Sequence, residues 1–168
     1  NVTKNKKYLN FAEYLAYSLD EVGGPQLITL ADTRLDRRFP VDESDWWSND
    51  NGQKAYEMMS CYVGFLELYK VTGETRYLDA VEKVVGAASE CWFGGKQRQT
   101  EPNIDAMETC VTFTWIQLNK RLLEITGKPV YAENIEKSIF NALLASMKCD
   151  GTEIVKYLPL EGFRMGAD

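Results

Sequence analysis

Val71-Thr-Gly-Glu-Thr-Arg-Tyr77 and, 54 residues later, Ile125-Thr-Gly-Lys-Pro-Val-Tyr131 decide how this chain folds. Each copy closes an apolar helical stripe at Thr-Gly, where glycine suits a left-handed cap. The Tyr four residues after the Gly opens the next apolar face. Glu82-Lys83 then falls on Glu136-Lys137 at the same offset. A repeated helical hairpin of this length exceeds a tetratricopeptide unit, at about 34 residues, and fits a solenoid or closed toroid of larger hairpins.

The stripes around the two copies give the elements. Ala55, Met58, Met59, Tyr62, Leu66 and Tyr69 precede the first Thr-Gly, and Tyr77, Leu78, Val81, Val84, Val85 and Ala88 follow it. Met107, Val111, Trp115, Leu118, Leu122 and Ile125 precede the second. After it, Pro129 occupies a first helical position and Tyr131, Ile135, Ile139, Leu143 and Met147 carry the face. An earlier stripe, Tyr8, Phe11, Ala12, Leu15, Leu19 and Val22, is expected to pack inward and to stop at Gly23-Gly24-Pro25. Residues from about Ser89 to Asp105 break the pattern and are expected to be irregular. Cys149-Asp-Gly151 signals a turn, and Glu153-Ile-Val-Lys-Tyr-Leu158 is expected to form a short β segment before Pro159. The fold class expected is all-α, helical hairpins with one short β segment near the C-terminus. The tail Gly162 to Asp168 has no capping pattern, so residues 1–168 are expected to be a single partial domain, a fragment of a larger one.

Composition narrows the function. The chain has 168 residues, enough for one core, and 45% hydrophobic content, ordinary for a globular domain. Its net charge of -6 with scattered basic residues argues against nucleic acid and anionic membranes as partners. No apolar run reaches the roughly 20 residues of a membrane span. There is no histidine, which removes Ser-His-Asp and Cys-His catalysis and the commonest metal ligand. Chemistry must run on carboxylates, thiols, Tyr, Lys or Arg. The four cysteines, Cys61, Cys91, Cys110 and Cys149, form no Cys-x-x-Cys pair and read plainly as reduced core residues.

The candidate site residues lie in three places. Asp105-Ala-Met-Glu108-Thr-Cys110 sets an acid and a thiol two residues apart at a helix entrance. Its plain alternative is a capping box with Asp105 as N-cap and Glu108 at the third helical position. In that case Glu108 and Cys110 lie roughly 200° apart around the axis and cannot act together. Joint action requires extended backbone through Glu108 and a helix starting nearer Cys110. The stretch Glu90-Cys-Trp92-Phe-Gly-Gly-Lys-Gln-Arg-Gln99-Thr-Glu101 combines aromatics, amides and carboxylates, as a sugar-binding loop does, or else it is a solvated connection. Asp42-Glu-Ser-Asp45-Trp46-Trp47 has the same character and the same alternative.

Ala55-Tyr-Glu-Met-Met-Ser-Cys-Tyr62, Leu66-Glu-Leu-Tyr-Lys-Val-Thr-Gly73, Met107-Glu-Thr-Cys110, Asn141-Ala-Leu-Leu-Ala145, Asp150-Gly-Thr152 and Leu158-Pro-Leu-Glu161 together resemble the β-L-arabinofuranosidases of glycoside hydrolase family 127 and relatives. The resemblance runs from about Tyr8 to the C-terminus. It implies part of an (α/α)6 toroid that hydrolyses L-arabinofuranosides or related plant sugars with a zinc-supported cysteine nucleophile. It maps two zinc ligands to Glu108 and Cys110 and places two further thiolates, the nucleophile among them, in a Cys-Cys motif beyond Asp168. The acid/base glutamate maps to Glu90 in Glu90-Cys-Trp-Phe93, one residue longer than the family's Glu-x-Phe, with Glu101 as the other choice. Trp92, Gln99 and Trp46 are the candidate substrate contacts.

The expectations that follow are a carbohydrate substrate and zinc bound by the parent protein but weakly, if at all, by these 168 residues, which are expected to be inactive alone. Self-association through faces normally covered by other hairpins, and a periplasmic or secreted bacterial setting by analogy with the family, complete them. The alternative class is a non-catalytic helical-repeat module that binds a carbohydrate or a protein. The two differ in whether Glu90, Glu108 and Cys110 share one cleft.

Overall fold

The computed structural model describes residues 3–31, 55–92 and 106–159. The chain is mostly helical. Helix α1 spans Lys6–Ser18, α2 Ala55–Thr72, α3 Thr75–Trp92, α4 Thr109–Thr126 and α5 Pro129–Lys137, which runs on as a π-helical turn over Ser138–Leu143. Two three-residue strands, β1 (Ala106–Glu108) and β2 (Tyr157–Pro159), pair antiparallel with Ala106 opposite Pro159 and Glu108 opposite Tyr157.

The repeat seen in the sequence recurs in the backbone. Gly73 and Gly127 both take the left-handed conformation, with φ of 75° and 68°. Their amides close the preceding helices on Tyr69 O and Leu123 O. Just before them, the Thr72 hydroxyl donates to Leu68 O at 2.9 Å and the Thr126 hydroxyl to Leu122 O at 2.8 Å. Each hydroxyl also accepts from the amide two residues on, Glu74 or Lys128, at 3.2 Å. The same letters thus make the same turn twice, giving the hairpins α2/α3 and α4/α5.

α2 packs against both α3 and α4, and α4 against both α2 and α5, so α2 and α4 form the middle of the layer. Their apolar stripes meet there. Tyr62, Leu66, Tyr77, Val81, Leu118 and Leu122 are fully buried, each contributing about 1.5–3 kcal/mol of hydrophobic stabilisation on the usual scale for large side chains. Tyr62, Phe65 and Tyr77 stack through edge and tilted contacts with centroids 5.6–5.7 Å apart.

Two sequence expectations are corrected. Helix α1 ends at Ser18, and its expected stripe is split: Tyr8, Phe11, Leu15 and Val22 are exposed, while Ala12 and Leu19 pack partly against the core. Ala16 is the residue it buries, with Leu9 also packed partly against the core. An amphipathic pattern rich in Tyr has two faces of similar apolarity, and the neighbouring elements decide which of them packs. On α5 the face expected from Ile135, Ile139, Leu143 and Met147 is half-buried, while Tyr131, Asn134 and Ser138 are buried. Asn134 points inward because it has a polar partner there: its amide donates to Asn119 Oδ1 at 2.9 Å, and the Asn119 amide donates to Trp115 O. A buried amide is tolerated where each group finds a bond.

After α1 the chain turns back over the core. Asp20 accepts from the Ile28 and Thr29 amides and the Thr29 hydroxyl, and the buried Tyr62 hydroxyl donates to Leu27 O at 2.8 Å. No helix among the described residues is long and apolar enough to cross a membrane.

Candidate functional site at the strand to helix junction

The acid and thiol singled out in the sequence lie where β1 becomes α4. Glu108 is the N-cap residue, with extended backbone (φ -84°, ψ 126°) and no side-chain capping bond, and the helix begins at Thr109. The capping box with Asp105 as N-cap therefore does not form. Residues two apart share a side of an extended strand and diverge on a helix. At this junction the Cys110 thiol reaches the Glu108 carboxylate, with Sγ to Oε2 at 3.6 Å.

Tertiary contacts hold the junction in that form. β1 pairs with β2, and the Thr109 amide extends the ladder by donating to Lys156 O at 2.9 Å. The Thr109 hydroxyl donates to Val155 O at 2.5 Å. One turn further on, the Thr114 hydroxyl donates to Cys110 O at 2.9 Å.

Glu108 is 5% exposed, unusual for a carboxylate, and Cys110 is half-buried. Burial pushes the Cys110 thiol up from its ordinary value, and the neighbouring charge of Glu108 and its hydrogen bond to the thiol push in the same direction. The thiol is the donor of the pair and Glu108 Oε2 its acceptor. A site that binds a cation reverses this balance by favouring the thiolate. Among the described residues no group of three His, Cys, Asp or Glu gathers around a common point.

The other candidate positions are divided. Glu90 and Trp92 belong to the last turn of α3, which runs through Trp92, so the start of the expected irregular stretch is helical. Their side chains lie outside the described residues, as do Trp46, Gln99 and Glu101 altogether. Cys61 is partly buried on α2, with its thiol raised by burial and then by Glu57; Cys149 is exposed. No local pattern in the sequence marks Thr109, because its hydroxyl's partner, Val155, lies 46 residues away. Asn119 and Asn134 carry no local signal for the same reason: a polar residue on an apolar helix face reads as a gap until its partner on the next helix is known.

Compared with known families, the chain matches the one described as "Beta-L-arabinofuranosidase, GH127 catalytic domain" over residues 1–166. No curated protein and no solved structure matches it. With nearly the whole chain covered by that match, this protein belongs to the glycoside hydrolase family 127 catalytic domains.

Proposed function

We propose that this chain is the part of a retaining L-arabinofuranosidase, built as an (α/α)6 toroid, that supplies Glu108 and Cys110 as ligands for zinc. The observation that carries the reading is the meeting of their side chains at 3.6 Å in a family 127 chain without histidine. The donor set fits the ion. Thiolate sulfur at about 2.3 Å and carboxylate oxygen at about 2.1 Å from one tetrahedral centre stand about 3.6 Å apart. Zinc, when bound, keeps thiolates ionised near neutral pH.

The roles of the chain's own residues follow from their chemistry. Glu108 supplies an anionic oxygen from a buried position, and Cys110 gives up its proton when the site loads, so ligand binding releases a proton. Glu90 is assigned as the acid/base that protonates the leaving oxygen and then deprotonates the attacking water, with Glu101 as the other choice. Trp92, Trp46 and Gln99 are assigned to the sugar, the rings covering C–H faces and the amide bonding hydroxyls. Two donors leave a tetrahedral site incomplete, and the resemblance to family 127 assigns the remaining ligands and the cysteine nucleophile to a Cys-Cys motif further along the protein. The 168 residues alone are accordingly expected to bind zinc weakly and to lack activity.

The test is hydrolysis of an aryl β-L-arabinofuranoside by the protein carrying that downstream sequence, beside Glu90→Gln and Cys110→Ala variants. The proposal expects turnover by the unsubstituted protein and a loss of at least about a hundredfold in each variant, the usual size for an acid/base group. A folded, zinc-loaded protein inactive on this and related furanosides would instead favour the non-catalytic carbohydrate- or protein-binding module.

A further inference from the structure

The letters Asp105-Ala-Met-Glu108 allow a capping box with Asp105 as N-cap, yet the N-cap falls three residues later, at Glu108, and the helix starts at Thr109. Local propensity and tertiary pairing compete here, and the winner decides whether Glu108 and Cys110 can cooperate. A helix through Glu108 would turn the two side chains roughly 200° apart. The extended junction brings them to 3.6 Å.

We infer that Thr109 is the positioning residue for this pair, acting by fastening the start of α4 to the 155–157 backbone. It makes two bonds to that segment, from its amide to Lys156 O at 2.9 Å and from its hydroxyl to Val155 O at 2.5 Å. Most residues could donate the amide bond. The hydroxyl bond requires Thr or Ser.

Its acceptor is itself fixed. Val155 is buried, and its own amide donates to Ser146 O at 2.8 Å, while the Ser146 hydroxyl donates to Leu143 O at 2.7 Å. Met147 bridges Ile154, and the Lys148 amide donates to Glu153 O, so the return from the π-helical turn is closed on itself. Thr109 ties the first residue of α4 to this braced return. The end of the second hairpin thereby sets the geometry of the acid and thiol at its beginning.

The consequence for function rests on the proposed ligand role of Glu108 and Cys110; the positioning itself does not. The test compares Thr109→Val, which keeps the branched shape without the donor, with Thr109→Ser, which keeps the donor. Cα chemical shifts of residues 106–108 report extended or helical backbone, and amide exchange at position 109 reports the tie to Lys156. The expected result is a move toward helical shifts and about tenfold faster exchange in Thr109→Val, the size of one hydrogen bond, with Thr109→Ser close to the unsubstituted chain. In the protein carrying sequence beyond Asp168, zinc affinity should fall in Thr109→Val and return in Thr109→Ser. Extended shifts and unchanged exchange in Thr109→Val would overturn the positioning role. Zinc affinity equal in all three forms, despite the backbone change, would overturn the link to the ligand pair and leave the positioning role standing.

Discussion

The Tyr131 hydroxyl on α5 donates to the Glu82 carboxylate on α3 at 2.8 Å, joining the outer helices of the two hairpins. Lys128 completes the node with its ammonium 2.6 Å from the same oxygen. Because Tyr131 repeats Tyr77 and Glu82 repeats as Glu136, the contact uses one repeat's acid to hold the next repeat's Tyr.

That node makes stability depend on pH in a definite direction. Partial burial opposes ionisation of Glu82, but the bonds from Lys128 and Tyr131 outweigh it and hold the carboxyl below its usual range. Its contribution is therefore present above about pH 4.3, the ordinary glutamate value, and is lost as pH falls through the depressed folded value. Tyr131 is raised by burial and then by Glu82, so its contribution is present below about pH 10 and is lost as pH rises through the raised folded value. Urea midpoints between about pH 3 and pH 7 should show a smaller acid-side loss in Glu82→Gln than in the unsubstituted chain. Tyr131→Phe should cost about 1.5 kcal/mol at neutral pH, as for a hydrogen bond to a charged group.

The buried Asn119 and Asn134 pair should behave asymmetrically. Asn134→Leu removes the donor to Asn119 Oδ1 and leaves an amide oxygen buried without its partner, at a cost of about 2 kcal/mol. Asn119→Leu combined with Asn134→Leu removes both partners, and denaturant unfolding should show the double variant to be less destabilised than the sum of the single ones.

Gly73→Ala and Gly127→Ala should destabilise by similar amounts, about 1 kcal/mol each, since both positions hold positive φ and an added Cβ meets nothing within 4 Å at either. Thermal unfolding of the two variants measures whether the turns are energetic as well as geometric repeats. A large inequality would separate them.

Glu108→Gln should make the Cys110 thiol more reactive in the metal-free chain. Burial is the larger cause of its raised value and persists in the variant, but the neighbouring negative charge is removed. Alkylation at mildly alkaline pH should therefore speed up at Cys110 and stay unchanged at the exposed Cys149.

The helical hairpins were legible in the sequence because their information is local. Thr-Gly caps and stripes such as Met58, Tyr62, Leu66 and Tyr77, Val81, Val85 lie within one helix or one turn, and those residues are buried. The face chosen by α1 was not legible, because Tyr8, Phe11 and Leu15 are as apolar as the residues that pack, and only the neighbouring helix discriminates. The junction was legible only as a fork. The letters from Asp105 to Cys110 allowed a capped helix or an extended entry, and the choice came from Lys156 and Val155, far along the chain.

Cobalt(II) titration of the protein carrying sequence beyond Asp168, followed by thiolate-to-cobalt absorption, shows whether Glu108 and Cys110 bind one metal ion. The expected result is a thiolate band whose intensity falls in Cys110→Ser, and affinity reduced more than about tenfold in both Cys110→Ser and Glu108→Gln, with Cys149→Ser unchanged. Identical spectra and affinities in the unsubstituted, Cys110→Ser and Glu108→Gln proteins would contradict it.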